Sequence, residues 1–347
     1  MEAAKRIKYI DGLKFLAIIG VISLHIFQIW WHKPALNLNL FYGMQEISQF
    51  GVPLFLMVTG ALLLNRDIEI ESFFKKKFSR IVYPFVFYLI IHMLVIPGQF
   101  NILGYNWYFW MILCAYLMIP IINKFVLYSS WKEMEYFVLV IVISSLILQL
   151  LNFHRVENFI DLSFFLGPLS YLILGYYFSK KKFKSSTNKI ICICILLFSV
   201  STVLKIMGHL LIIPVTLTQN LDAVRSVIFT SNIDVGILEF IQASSLFVLV
   251  KNIYDSKSGI CARFRNVLEK DFINSFIQSV SRASYGMYLV NRTLMLYSDY
   301  NIKNLPLTGK EKIMYIIILN IAIFFISWIL VVGISKIPFL KKFSGYA

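Results

Sequence analysis

The run from Ile10 to Trp31, IDGLKFLAIIGVISLHIFQIWW, constrains the fold more than any other stretch. At about 1.5 Å per residue a helix of this length crosses a bilayer, yet it carries Asp11, Lys14 and His25. At roughly 100° per residue, the steps from Lys14 to His25 bring the two side chains to within roughly 20° of each other on the wheel. Asp11 stands only about 60° from Lys14, so the three ionisable groups share one stripe, with some 16 Å of helix between Lys14 and His25. Each charge at mid-membrane depth costs a few kcal/mol by insertion scales. The stripe is therefore expected to face a protein-lined cavity where something polar binds or reacts.

About nine further apolar runs follow, at 42–64, 80–98, 107–128, 135–152, 160–178, 190–213, 228–250, 274–298 and 313–335. With 59% hydrophobic and 15% charged residues, the chain lies outside the range of soluble globular domains. The expected fold class is all-α, a polytopic integral membrane bundle of about ten transmembrane helices. An outer-membrane barrel would show ten-residue alternation in place of these blocks, and open strands would leave backbone groups unpaired in lipid. No linker, repeat or low-complexity tract interrupts the pattern, so residues 1–347 are expected to form a single integral domain without a separate soluble one.

The net charge of +15 does not point to nucleic acid, because the basic residues are spread over short loops. About 23 of the 33 lysines and arginines fall in the N-terminus, alternate loops and the C-terminus, against about six in the intervening loops. That bias places both termini in the cytoplasm. MEAAKRIK is a basic flank and no cleavable signal, since the run after it is too long and too charged for a signal core. Cys114, Cys192, Cys194 and Cys261 lack metal-type spacing and are expected to be packing residues; no metal set is expected.

Four groups could carry chemistry. His25 lies about 22 Å into its span, where an imidazole can take a proton from a hydroxyl; the alternative is a neutral histidine bonded to a neighbouring helix. In FFKKKFSRIVYP, Phe73 to Pro84, a helix would cluster Lys76, Lys77 and Arg80 at the cytoplasmic mouth of the third span, with Pro84 near the helix start. Such a cluster suits the phosphates of a nucleotide coenzyme, or else anchors the span against anionic lipid headgroups. In Gly51 to Leu64, Gly51, Pro53 and Thr59-Gly60 indicate close helix packing and a local kink, and Trp107-Tyr108-Phe109 an interfacial belt. In Ser281 to Met295, Ser284, Tyr288 and Asn291 share a helical face with Arg292 beside them; an arginine at that depth wants an anionic or hydroxyl-rich neighbour, or snorkels outward. His92, His209, Lys205, Asp234 and Glu239 also lie in or near spans, as further candidates or internal hydrogen-bond pairs.

Taken together these segments resemble the membrane-bound acyltransferase type 3 family, whose members O-acetylate bacterial surface polysaccharides. Its opening signature stands here as Asp11, Lys14 and His25, with Lys14 where the family more often has Arg. Val52-Pro53-Leu54-Phe55 with Thr59-Gly60 matches a second motif. Arg80 and Pro84 match a third, with Lys77 at the place of an earlier arginine. The late motif runs Ser284-Tyr285-Gly286-Met287-Tyr288-Leu289-Val290 and then departs from the family, with Asn291 in place of histidine.

The resemblance implies an O-acyltransferase of the bacterial cytoplasmic membrane. It implies acyl-CoA, most often acetyl-CoA, as co-substrate with no bound cofactor, and a surface glycan or lipid-linked sugar as acceptor. Lys77, Arg80 and Lys14 would hold the donor; Tyr288, Asn291 and Arg292 would contact substrate. His25 would act as general base or covalent relay, with Asp11 orienting Lys14. Two rivals come from other classes: a transporter or flippase, for which intramembrane charges are equally expected, and a scaffold subunit that tolerates substitution of Lys14 and His25.

Overall fold

The computed structural model describes residues 6–31, 38–96, 107–153, 167–212, 236–256, 259–302 and 309–346. Among these the regular structure is helical, with no strand. In chain order the helices are α1 (Lys8–Trp31), α2 (Leu38–Ser48), α3 (Gly51–Leu63), α4 (Ile70–Val95), α5 (Trp107–Tyr128), α6 (Trp131–Phe153), α7 (Pro168–Lys180), α8 (Thr187–Ile212), α9 (Ile237–Asp255), α10 (Gly259–Leu268), α11 (Asp271–Ile302) and α12 (Gly309–Lys336). A 3₁₀ turn, Lys341–Phe343, follows.

Seven segments among the described residues are long and apolar enough to cross a membrane: Lys8–Phe27, Gly43–Leu63, Ile70–Val95, Trp107–Tyr128, Thr187–Met207, Ile237–Asp255 and Ile313–Lys336. The chain is a multi-pass membrane protein. Of the other expected spans, 135–152 is helical within α6 and 274–298 within α11, whose course carries Asp271, Arg282 and Arg292. The expected span 160–178 is described only from Gly167 onward, where α7 begins.

Two boundaries differ from the sequence expectation. The expected span 42–64 is two helices, broken at Gln49–Phe50 just ahead of Pro53, whose missing N–H withdraws a partner from the Gln49 carbonyl. The third span starts at Ile70, ten residues early. Pro84 therefore lies inside α4 and not near its start, so the Arg80 carbonyl loses its usual partner. Beside this gap the Tyr285 hydroxyl of α11 donates to the Ile81 carbonyl, at 2.9 Å.

The described residues form two compact units of interleaved segments. The first takes Met1–Leu13, Gln49–Arg66 and Ile121–Asn274. Its tightest packing is α3 against α7. A Cβ on Gly60 would lie 1.8 Å from the Leu172 carbonyl oxygen, and one on Gly175 would lie 1.8 Å from that of Met57. The two glycines let the backbones touch, which is the packing role expected of the small residues in α3. At the start of α6, Ser130 and Glu133 cap each other: the Ser130 amide donates to Glu133 Oε2 at 2.6 Å and the Glu133 amide to Ser130 Oγ at 3.3 Å. Hydrogen bonds to the Glu133 carboxyl from the Ser130 side chain and then its amide hold that carboxyl below the usual range. Where α3 ends, Asn65 takes φ 61°, and the Asn123 amide clamps Arg66 by donating to its carbonyl at 2.6 Å.

The second unit takes Lys14–Ser48, Asp67–Pro120 and Ser275–Ala347. Here Phe85 and Phe109 stack at 3.6 Å between ring centroids. Tyr108 and Phe109 are buried, so they are core residues and no interfacial belt; the phenylalanine and tyrosine faces of α4 and α11 offer them a better-packed surface than headgroups do. α1 joins α12 through Ser23, whose hydroxyl donates to Asn320 Oδ1 at 3.3 Å. The cysteines divide: Cys194 and Cys261 are buried as expected of packing residues, whereas Cys114 and Cys192 are exposed on the helix surfaces, which an apolar thiol tolerates in a lipid-facing position.

Candidate active site

α1 runs as one helix through Asp11, Lys14 and His25, and turns the stripe inward: Asp11 is buried, Lys14 and His25 half-buried. Asp11 belongs to the first unit. Its carboxylate accepts from Arg6 Nε at 2.6 Å and Nη2 at 2.8 Å, a bidentate charge-assisted pair. Arg6, five residues away in the basic flank, carries no signature in the sequence that marks it as the partner of Asp11.

Lys14, His25, Lys77, Arg80, Tyr288, Asn291 and Arg292 lie in the second unit. His25 Nδ1 is 3.1 Å from Asn291 Oδ1 of α11. The orientation of the Asn291 amide is fixed by its other end, since Nδ2 donates to the Met287 carbonyl at 3.1 Å and the Tyr288 carbonyl at 2.9 Å. Carbonyls accept only, so Nδ2 must face them and Oδ1 must face the imidazole. A neutral His25 then carries its proton on Nδ1 and its lone pair on Nε2. Asn291 itself is only 1% exposed.

Around this pair stand aromatic and cationic groups. The Tyr288 ring lies 6.2 Å from the His25 ring and 4.9 Å from that of Tyr108. Arg292, half-buried, is close enough to act electrostatically on both His25 and His92. His92, from α4, is buried, with Nδ1 3.0 Å from Thr293 Oγ1. The sequence placed His92 in a span without indicating a partner; its neighbour in space is 201 positions away.

The basic cluster of α4 is helical as expected, so Lys76 and Lys77 each stand one turn from Arg80. Lys76 and Arg80 are exposed and Lys77 half-buried. Arg80 acts electrostatically on Tyr116 of α5, and Tyr285 in turn lies within electrostatic reach of Tyr116, Tyr108 and Tyr288. Of these phenols, Tyr108 and Tyr288 are in ring contact and Tyr288 lies beside His25, inside one unit.

In the first unit Lys205 and Glu239 form a buried ion pair at 2.9 Å, and the Lys205 ammonium also bonds Gln49 Oε1. The Gln242 side chain donates to Thr202 Oγ1 at 2.8 Å beside them. Lys205 and Glu239 are therefore an internal pair. Asp234 lies outside the described residues, as does the side chain of His209. Among the described residues, no group of three or more His, Cys, Asp or Glu could hold a metal ion.

Fold and site define a multi-pass helical membrane protein with an oriented imidazole inside one helical unit. A family model described as an acyltransferase domain matches residues 7–332, and the chain belongs to this family, acyltransferase 3. It is a membrane acyltransferase. No curated protein and no solved structure matches the chain.

Proposed function

We propose that the protein is an O-acyltransferase of the bacterial cytoplasmic membrane with both termini cytoplasmic. It moves an acyl group, acetyl before others, from acyl-CoA supplied by the cytoplasm to a hydroxyl of a surface polysaccharide or lipid-linked glycan precursor. The observation that carries this reading is the His25–Asn291 hydrogen bond, because it leaves the basic Nε2 as the nitrogen offered to a substrate.

Lys77 and Arg80, one turn apart on α4, hold the donor's phosphates together with Lys14. The acceptor hydroxyl gives its proton to His25 Nε2 as its oxygen attacks the thioester carbonyl. The carbon–sulfur bond breaks, and the thiolate of CoA leaves and takes up the proton. Arg292 faces the negative charge that gathers on the carbonyl oxygen, and Tyr288 shapes the acceptor side. Asn291 is a positioning residue for His25, while Asp11, paired with Arg6, steadies the charged end of α1 near Lys14. In membranes containing the full chain, label from radiolabelled acetyl-CoA is expected in the glycan fraction as a base-labile ester. Solute counterflow without acyl-CoA, and no labelled ester, would overturn this reading in favour of a transporter.

A further inference from the structure

We propose that the segment Lys341–Tyr346, which lies after the part of the chain matched by the family model, completes the donor site with a cation, Lys342; the inference rests on the acyl-CoA reading above. The segment folds back onto α4 and α11 and is held there at several points. Tyr88, buried in α4, donates its hydroxyl to the Ser344 carbonyl at 3.0 Å, and Ser344 is fully buried. Gly345 adopts φ +71°, a conformation that favours glycine, and a Cβ there would lie 2.8 Å from the Gly286 backbone of α11. Gly286 is equally constrained, since a Cβ on it would meet the Ser344 carbonyl at 2.3 Å. The Phe343 ring packs 6.0 Å from that of Tyr83 and 5.9 Å from that of Phe87.

The face of α4 on which the segment lands decides its use. On a helix, Lys76, Arg80, Tyr83 and Phe87 fall at spacings of four, three and four, which makes one stripe. The stripe that receives Phe343 is the continuation of the one that carries the basic cluster. Lys342 Nζ stands over the Tyr83 ring at 5.7 Å, one turn from Arg80, and its side chain remains exposed. A structural tail would need only Phe343 and Ser344 for anchorage. Here the anchors also bring an exposed ammonium to the edge of the cluster, where the phosphates of a nucleotide coenzyme need several charges.

The test uses the purified full chain in detergent with unesterified CoA as probe, measuring the dissociation constant at low and high salt. Lys342→Gln is expected to weaken CoA binding about threefold to tenfold at low salt, with a smaller difference at high salt, and Lys342→Arg to restore it. Arg80→Gln serves as the reference for the donor site. If Arg80→Gln weakens binding and Lys342→Gln does not, the role given to Lys342 is overturned while the donor site stands. If neither variant changes CoA binding, or the wild type binds none, the donor reading falls and this inference with it. Phe343→Ala, which loosens the segment and keeps every charge, is expected to weaken binding as Lys342→Gln does; unchanged binding would contradict delivery of the cation by the folded segment.

Discussion

Replacing Asn291 by leucine tests how the imidazole is held. Leucine fills a similar volume in a site that is only 1% exposed, so the helix keeps its packing while the acceptor for His25 Nδ1 disappears. The Nδ2 bonds to Met287 and Tyr288 also go, but those carbonyls belong to α11 itself, where backbone amides four residues on remain as donors. The loss that matters is one hydrogen bond to a group left without its partner, about 1–3 kcal/mol. If the bond serves to orient the base, that energy appears in the barrier, and the acyl-transfer rate falls about fivefold to 150-fold. Asn291→Asp keeps an acceptor for Nδ1–H and should retain more activity than leucine. The assay is single-turnover transfer of labelled acetyl from acetyl-CoA in membranes, with CoA binding measured alongside and expected to be unchanged. A leucine variant that transfers within twofold of wild type would refute the assignment of Nε2 by way of Asn291.

Three further outcomes are expected. Arg80→Ala should raise KM for acyl-CoA at low salt, with the gap to wild type narrowing as salt rises, because the exposed guanidinium acts through a screened field; steady-state kinetics at two ionic strengths check this. Gly60→Ala would place a methyl 1.8 Å from the Leu172 carbonyl oxygen, where only backbone movement makes room, and should destabilise the first unit by about 1–3 kcal/mol or more in thermal unfolding; an unchanged melting temperature would contradict the α3–α7 contact. Lys205→Met alone leaves Glu239 buried without its cation and should cost about 3–5 kcal/mol, whereas Lys205→Met with Glu239→Gln should recover much of that in the same assay.

Much of the fold was legible because apolar runs of bilayer length leave the chain few alternatives. The runs at 107–128 and 313–335 coincide with α5 and the body of α12. What hydropathy cannot show is where a helix starts outside the apolar zone. α4 begins in the charged stretch from Ile70 because lysine, phenylalanine and serine continue a helix as readily as they end one, and that displaced Pro84 into its interior. Site residues were legible by type and cost: a histidine and an arginine at membrane depth stand out on a single sequence. Their partners were not. His25 meets Asn291 across 266 positions and His92 meets Thr293 across 201, and no local periodicity reports such pairings. At position 291 the sequence shows only a departure from a family motif, whereas the structure gives that residue the hydrogen bond that orients the imidazole. Tyr108 was misplaced for a related reason, since an aromatic at a helix start looks the same whether its neighbours are headgroups or, as here, Tyr288.

The most direct test is transfer of labelled acetyl from acetyl-CoA to the cell-surface glycan by membranes carrying His25→Ala. That variant is expected to insert, fold and bind CoA as wild type does, yet to form base-labile ester at least about a hundredfold more slowly. Ester formed by it at the wild-type rate would exclude His25 from the chemistry.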